Sequence, residues 1–482
     1  MDILFVATEL APFAKSGGLA DVMASLTKTL RQHGHKVTLA LPRYRHFERA
    51  GLLVARRLTP LHFSLGSSNF TATVYDGRLP SGVDITLLDL PGLFDREGIY
   101  GEGAADYEDN PLRFAAFSRA VVELARQRLA SNLTFDVIHC NDWTTALVPF
   151  FARLAPNDAV GSACRFVFTV HNLEFQGVVA AELRGSLGIP DEHFHPEGVE
   201  FYGKVNLLKT GLVFSDAITT VSETYAREIQ TEALGNGLHG VLASRARKLL
   251  GIPNAVDYSL WNPTIDPAIV ARYDAEDSSG KARCKTTLLS ELQLDMVPER
   301  PIVAFCERLA SQKGFDLLMD ALPKLVRSDF ALVIAGDGNP ELVQRAQAAA
   351  VHSPGRVAFV HKPADPVLHR IVAGADIIVS PSRFEPCGQF QQYGQRYGAV
   401  PVGHATGGLV DTIVDCDAAL ETGTGFLFDE PSNASLAGAL QRAFAAFASP
   451  RWPFLRRRIM RLDVGWDRSA YRYEQLYRSI TA

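Results

Sequence analysis

One pattern occurs twice along this chain, and it constrains the fold more than any other feature. Residues 3–7 form a short apolar run, after which Gly17-Gly18 opens a segment with Leu19, Val22, Met23, Leu26 and Leu30 at helical spacing. His33-Gly34 supplies a helix stop and residues 36–41 resume an apolar strand. Strand, helix and strand in that order predict a βαβ unit and a parallel sheet. Further strands are predicted over 85–90, 137–140, 165–170 and 217–221. The pattern restarts at 302–306, followed by a helix over 315–326 and strands over 331–335, 357–360, 377–379 and 400–402. The predicted fold class is therefore α/β, with two doubly wound Rossmann-like sheets.

Length agrees with two sheets, because 482 residues exceed what one hydrophobic core serves, about 250–300 residues. The expected division is 1–250 and 251–482, with a hinge near Leu250 to Pro253, where a turn-rich stretch begins. Residues 464–482 suggest an amphipathic terminal helix, carrying Trp466, Tyr471, Leu476 and Tyr477, that packs back toward the first domain. Open α/β sheets bind ligands at the carboxyl ends of their strands, so two of them facing each other predict an interdomain cleft.

A net charge of -5 gives no field that would draw the chain to nucleic acid. No apolar run reaches the ~18 residues of a membrane span, and the N-terminal run lacks a basic leader. Six cysteines without a CxxC pair suggest reduced thiols rather than a disulfide frame or a zinc site. The expectation is a cytoplasmic protein with no nucleic-acid or membrane partner; the oligomeric state is not legible.

Polar clusters follow the predicted strands. Lys15, Gly17 and Gly18 lie between strand and helix, where backbone N–H groups and one ammonium suit a phosphate. At the matching place in the second half, Arg308 and Lys313 share one loop, and two fixed cations suit a departing diphosphate whose charge grows as its glycosidic bond breaks. After the strand at 377–379, Glu385 offers a carboxylate for sugar hydroxyls, and the N–H groups after Gly388 offer donors for phosphate. In the first half, His171 can donate to a sugar hydroxyl, while Asp142 and Trp143 suit hydrogen bonding and stacking on glucose units, with Asn172 beside them. Asp415-Cys416-Asp417 has the spacing of a metal-binding triplet, but it follows a predicted helix on which its carboxylates would diverge, so no metal is expected.

Taken in order, the segments from Lys15 (KSGGLADV), His171 (HNLEFQG), Arg308 (RLASQKG), Ser382 (SRFEPCG) and Thr406 (TGGLVDT), with Asn254-Ala255-Val256-Asp257 and Trp261-Asn262-Pro263, closely resemble the bacterial glycogen synthase and plant starch synthase family. The likeness covers nearly the whole chain. It implies a GT-B fold and retaining transfer of glucose from ADP-glucose, sometimes UDP-glucose, to an α-1,4-glucan, with no metal or other cofactor. It implies that Lys15, Arg308 and Lys313 meet the diphosphate, that Glu385 meets the glucose and that His171 meets the reacting sugar. Gly17, Gly18, Gly388, Gln389, Thr406, Gly407 and Gly408 fall on the nucleotide-sugar side, and Asp21, Asp142, Trp143, Asn172 and Asn254 on the donor and acceptor side. The chain departs from the family pattern at Gln389-Phe390-Gln391, where a threonine near the phosphates is usual, and at Pro363-Ala364, where the family places residues beside the nucleobase. Asn141 and Glu223 also replace commoner residues.

Overall fold

The computed structural model describes residues 1–102, 105–155, 158–325 and 328–482. The chain divides into two compact units: Met1–Val221 with Ala226–Ile252 and Trp466–Ala482, and Pro253–Gly465 with Ser222–Tyr225. The short segment Ser222–Tyr225 belongs to the second unit because Ser222 Oγ and Thr224 Oγ1 both donate to the Asp411 carboxylate, each at 2.6 Å.

In the first unit the sheet runs, in spatial order, Leu249–Gly251, Ala217–Thr220, Arg165–Val170, Val137–Asn141, Asp2–Val6, Lys36–Pro42 and Asp84–Asp89, all parallel. An antiparallel edge follows, made by Ser68–Arg78 with Val54–Arg56 and Leu61–Leu65. From Asp2–Val6 the chain builds outward through Lys36–Pro42, then returns to add Val137–Asn141 on the opposite side. The carboxyl ends of Asp2–Val6 and Val137–Asn141 thus flank the point where strand order reverses, the place where open α/β sheets hold ligands. The helix Gly18–Gln32 covers one face and turns Val22, Met23, Leu26 and Leu30 inward. The terminal helix Trp466–Thr481 packs on it, tied by His33 Nδ1 to Glu474 (2.8 Å) and by Tyr477 to the buried ring of His139 (2.7 Å).

The second unit is a six-stranded parallel sheet in the order Val357–His361, Ala331–Gly336, Ile302–Phe305, Ile377–Ser380, Val400–His404 and Phe426–Phe428. Its strands read as unbroken apolar runs because both faces are covered. Val303 and Phe305 enter one core with Leu318, Leu440 and Trp452, whereas Ile302, Ala304 and Cys306 enter the other with Leu288, Ile371 and Tyr397. Order reverses between Ile302–Phe305 and Ile377–Ser380.

The helix predicted over 315–326 ends earlier, at Ala321, and continues as a 3-10 turn from Leu322 to Leu325. Pro323, which has no N–H to give, accounts for the change; the last predicted residue, Val326, lies outside the described residues. All six cysteines are buried and free. Among the described residues no helix is long and apolar enough to cross a membrane.

Candidate active site

In the second unit the loop after Ile302–Phe305 and the loop after Ile377–Ser380 close on each other. Gly314 has φ 67, and a Cβ there would sit 1.9 Å from the carbonyl oxygen of Pro381, so glycine is required for the approach. Arg383 fastens the second loop by two bonds to Asp316, at 2.8 and 2.7 Å. The result brings Lys313 Nζ to 2.7 Å from Glu385 Oε2 and 3.2 Å from Glu307 Oε2. Burial alone would lower the lysine, but the two carboxylates hold its ammonium above the ordinary value. Burial raises Glu307, helped by Glu385 and opposed by Lys313.

Both oxygens of Glu385 are engaged: Oε2 also accepts the Ser382 hydroxyl (2.9 Å), and Oε1 accepts the N–H of Gly388 (3.1 Å). Glu385, expected to meet the glucose, is here the buried counter-ion of Lys313. The N–H of Gly388 itself points inward to Glu385, and Gln389 after it stands at the N-cap position of the helix Phe390–Arg396. Arg308 is exposed at the rim, with Nη2 donating to Gln312 (3.1 Å).

Thr406 and Gly407 open the helix Gly407–Thr412, and Gly408 donates to the carbonyl of Glu385 at 2.9 Å. A Cβ on Gly408 would lie 2.0 Å from the Cys387 carbonyl oxygen, so this glycine seats the loop of Glu385. Asn254 lies beside the same segment: its carbonyl accepts Gln392 Nε2 (3.3 Å), while its side-chain Oδ1 is buried with no partner among the described residues. An unpaired buried acceptor is costly and marks a place for a ligand donor.

At the departure noted in the sequence, Phe390 packs edge-on against Trp261 and Tyr393. Trp261 is itself stacked between His369 (3.7 Å) and Tyr393 (4.0 Å). His369 and Tyr397 both bond Asp266 Oδ2, at 2.7 and 2.6 Å, which fixes the stack.

Both carboxylates of the Asp415-Cys416-Asp417 triplet have partners of their own, and neither stands on the predicted helix. The helix ends at Thr412, so Asp415 and Asp417 lie in irregular chain. Asp415 takes a forked ion pair from Arg442 (2.6 and 2.7 Å), and Asp417 accepts the backbone N–H groups of Ala419, Glu421 and Thr422.

In the first unit, Glu9 organises the glycine loop. It is 4% exposed, and its Oε2 accepts the N–H of Ser16 (2.7 Å) and of Gly17 (2.8 Å) while Oε1 accepts Tyr100 OH (2.7 Å). The donors expected to approach a phosphate at Ser16-Gly17 therefore serve a carboxylate of the same chain. Gly17 keeps open space where a side chain would be, and Gly18 begins the helix. Lys15 pairs with Asp21 at 3.0 Å, both partly exposed, a contact of at most about 1 kcal/mol that a phosphate can displace.

Glu9→Ala is expected to cost about 1–3 kcal/mol in thermal or denaturant unfolding, by orphaning the Ser16 and Gly17 donors. Glu9→Gln should lose less. Burial raises the Glu9 carboxyl, so wild-type stability from its neutral form is complete below about 4.3 and declines as pH climbs through the raised value. The gap between wild type and Glu9→Gln should accordingly narrow from pH 5 to pH 8.

Asp142 holds φ 58, ψ 178, a conformation that non-glycine residues adopt at a cost of about 1–3 kcal/mol. Its carboxylate accepts the N–H of His171 at 2.8 Å and that of Asn172, and burial pushes it up to about 7. These two bonds brace the loop that carries His171. Trp143 packs edge-on against Phe114 (5.3 Å), and Gly177 lies against its six-membered ring, so that face is closed to stacking. The Asn172 side chain accepts from Glu174 N (3.0 Å).

Asn141 gives His171 its orientation. The Asn141 amide group donates to the carbonyls of Val6 (3.1 Å) and His139 (3.3 Å), so its oxygen must face His171 Nε2, 3.0 Å away. Burial holds the imidazole neutral, down to about 3. Nε2 then carries the proton, and Nδ1 is an acceptor. The ring, expected to donate to a sugar hydroxyl, has its N–H taken by Asn141 and presents an acceptor at Nδ1.

Sequence reasoning missed Glu9, Glu307 and the role of Asn141. Each of the three stands at or just past a strand end, a signal that was present but not specific.

Two Rossmann-like units with parallel sheets are the fold of the GT-B class of glycosyltransferases. The family described as starch synthase catalytic domain matches residues 2–244, and that described as glycosyl transferases group 1 matches residues 293–446. The chain is 44% identical over 485 residues to the glycogen synthase of Anaeromyxobacter sp. (strain Fw109-5), covering 100% of both. It is 40% identical to glycogen synthase 2 of Geobacter sulfurreducens, covering 99% of this chain and 98% of that one. Among solved structures, the catalytic domain of starch synthase IV from Arabidopsis thaliana, bound to ADP and acarbose, superposes with TM-score 0.91 at 32% identity, covering 100% of this chain and 99% of that one. The chain belongs to the glycogen and starch synthase family.

Proposed function

We propose that the chain transfers glucose from ADP-glucose, with retention of the α configuration, to the non-reducing end of an α-1,4-glucan and releases ADP. The buried ammonium of Lys313, with Arg308 on the same loop at the strand-order reversal of the second unit, carries this reading. As the glycosidic bond breaks, negative charge grows on the leaving diphosphate, and cations already in place stabilise that state more than the ground state. Lys15 supplies further charge for phosphate oxygens, and these side chains meet the need with no metal or other cofactor. Oδ1 of Asn254 and Nδ1 of His171 accept from substrate hydroxyl or amino groups. The leaving phosphate takes the proton of the attacking 4-hydroxyl, since retention places nucleophile and leaving group on one face. The reduced state of six buried thiols fits a cytoplasmic setting.

The test is release of ADP from ADP-glucose, with UDP-glucose run in parallel, in the presence and absence of glycogen. The expected outcome is release that depends on glucan and is faster with ADP-glucose. Equal release without glucan, or none with either donor, would sink the reading. Faster release with UDP-glucose would revise the donor alone.

A further inference from the structure

Glu307 has no part in the chemistry above, yet it occupies the ammonium on which that chemistry depends. It follows the strand Ile302–Phe305, at the reversal of strand order, with 13% of its side chain exposed. Lys313 has three N–H donors to distribute. One goes to Glu385 at 2.7 Å and one to Glu307 at 3.2 Å. The two carboxylates are unequal competitors. Glu385 is also bound by the Ser382 hydroxyl and the Gly388 N–H and is 3% exposed, so it cannot leave without orphaning both donors. Among the described residues, Glu307 is held in this cluster by the longer of the two ion pairs. Any further anion that engages Lys313 meets three negative groups around one ammonium, and the carboxylate with fewest bonds is the one to yield.

We propose that Glu307 is an internal competitor for the donor's diphosphate: it holds Lys313 in the empty site and takes up one proton from solvent when the diphosphate replaces it on the ammonium. The inference rests on the ADP-glucose reading. The charged groups facing Glu307 are Lys313 and Arg308, which favour its anion, and Glu385, which opposes it, while burial keeps the neighbouring Cys306 thiol neutral. Burial and Glu385 already raise its carboxyl, so loss of Lys313 as a partner raises it further and favours the neutral acid. The proton moves from water to a Glu307 oxygen, and no other bond changes. For the reaction, such a competitor weakens the hold on ADP and favours its release after transfer. The residue acts through Lys313 and is a positioning residue.

The experiment is calorimetric titration of the full-length enzyme with ADP at pH 7 in two buffers of different ionisation enthalpy. Wild type is expected to take up as much as about one proton per ADP bound. The terminal phosphate of ADP, with a pKa near 6, would release protons on meeting cations, so net uptake cannot come from it. Glu307→Gln should bind ADP about tenfold more tightly, as expected when one competing charge-assisted bond is removed, and should take up none. Glu307→Asp, which keeps the carboxylate, should retain uptake. Equal proton stoichiometry in wild type and Glu307→Gln, or weaker ADP binding by Glu307→Gln, would overturn the proposal. If that variant does not fold, the wild-type measurement decides alone: uptake supports it, and zero or net release overturns it. Absence of ADP binding by wild type would instead remove the donor reading, and this inference with it.

Discussion

An enzyme carrying Lys313→Ala is expected to lose at least about 100-fold in turnover, from the removal of one preorganised charge at the leaving group, and about 3–5 kcal/mol of stability, from two buried carboxylates left without their cation. Lys313 is 9% exposed and lies within hydrogen-bonding distance of both Glu307 and Glu385. In wild type its ammonium is held above the ordinary value, so the stability it contributes is fully present below about 10.4 and is lost only at more alkaline pH. In the variant, Glu307 loses the cation that favours its anion while burial and Glu385 remain, so its carboxyl rises further. A raised carboxyl contributes stability below about 4.3 and loses it as pH climbs through the folded value. The destabilisation should thus deepen between pH 5 and pH 8 in denaturant unfolding. Lys313→Met restores the volume without the charge, and a loss of similar size there separates electrostatics from the cavity. Stability that is insensitive to pH in both variants would contradict the buried pairing.

Much of the architecture was legible because of how parallel sheets are buried. Ile302 to Cys306 read as a strand from five successive apolar residues, since neighbours in the run enter opposite cores and both cores are dry. The same argument located Val137–Asn141, Arg165–Val170 and Val400–His404. The antiparallel edge carried a signal that went unread: Leu61, Phe63 and Leu65 are buried while His62 and Ser64 are exposed, a period of two. Pro323 likewise announced the end of the helix that begins at Phe315. The site was legible only in part. Cations and glycines stand out by type, and Lys15, Gly17, Gly18, Arg308, Lys313 and Gly408 were visible on that ground. Their acceptors were not, because a carboxylate such as Glu9 acquires its meaning only when Ser16 and Gly17 fold back onto it. Glu307 adjoins Arg308 in the sequence, where it reads as a surface ion pair; the close approach of Gly314 to Pro381 turns it inward toward Lys313.

His171 carries the second large effect, and Asn141 decides its sign. With Nε2–H directed to Asn141 Oδ1, the ring presents Nδ1 as an acceptor. A sugar hydroxyl that donates to a neutral, buried nitrogen forms a bond worth about 0.5–1.5 kcal/mol, and more where charge develops. His171→Ala is expected to reduce kcat/KM about tenfold to hundredfold. His171→Asn, which offers an amide oxygen, should recover part of that loss. Burial holds both His171 and His139 down to about 3, so their contribution to folding is complete above about 6.5 and falls away as pH drops toward the folded value. His171→Asn should therefore flatten the acid limb of the stability curve by one proton. Asn141→Asp tests the orientation itself. A carboxylate in that position faces the carbonyls of Val6 and His139 and favours imidazolium at His171, which converts Nδ1 from acceptor to donor. Turnover in that variant should fall as pH decreases through the raised imidazole value, with nuclear magnetic resonance of the ring reporting protonation over the same range. Wild type should show no such ring titration above pH 5. If the His171 ring titrates near 6.5 in wild type, or if Asn141→Asp leaves its titration unmoved, the amide does not set the tautomer and His171 acts as a donor after all.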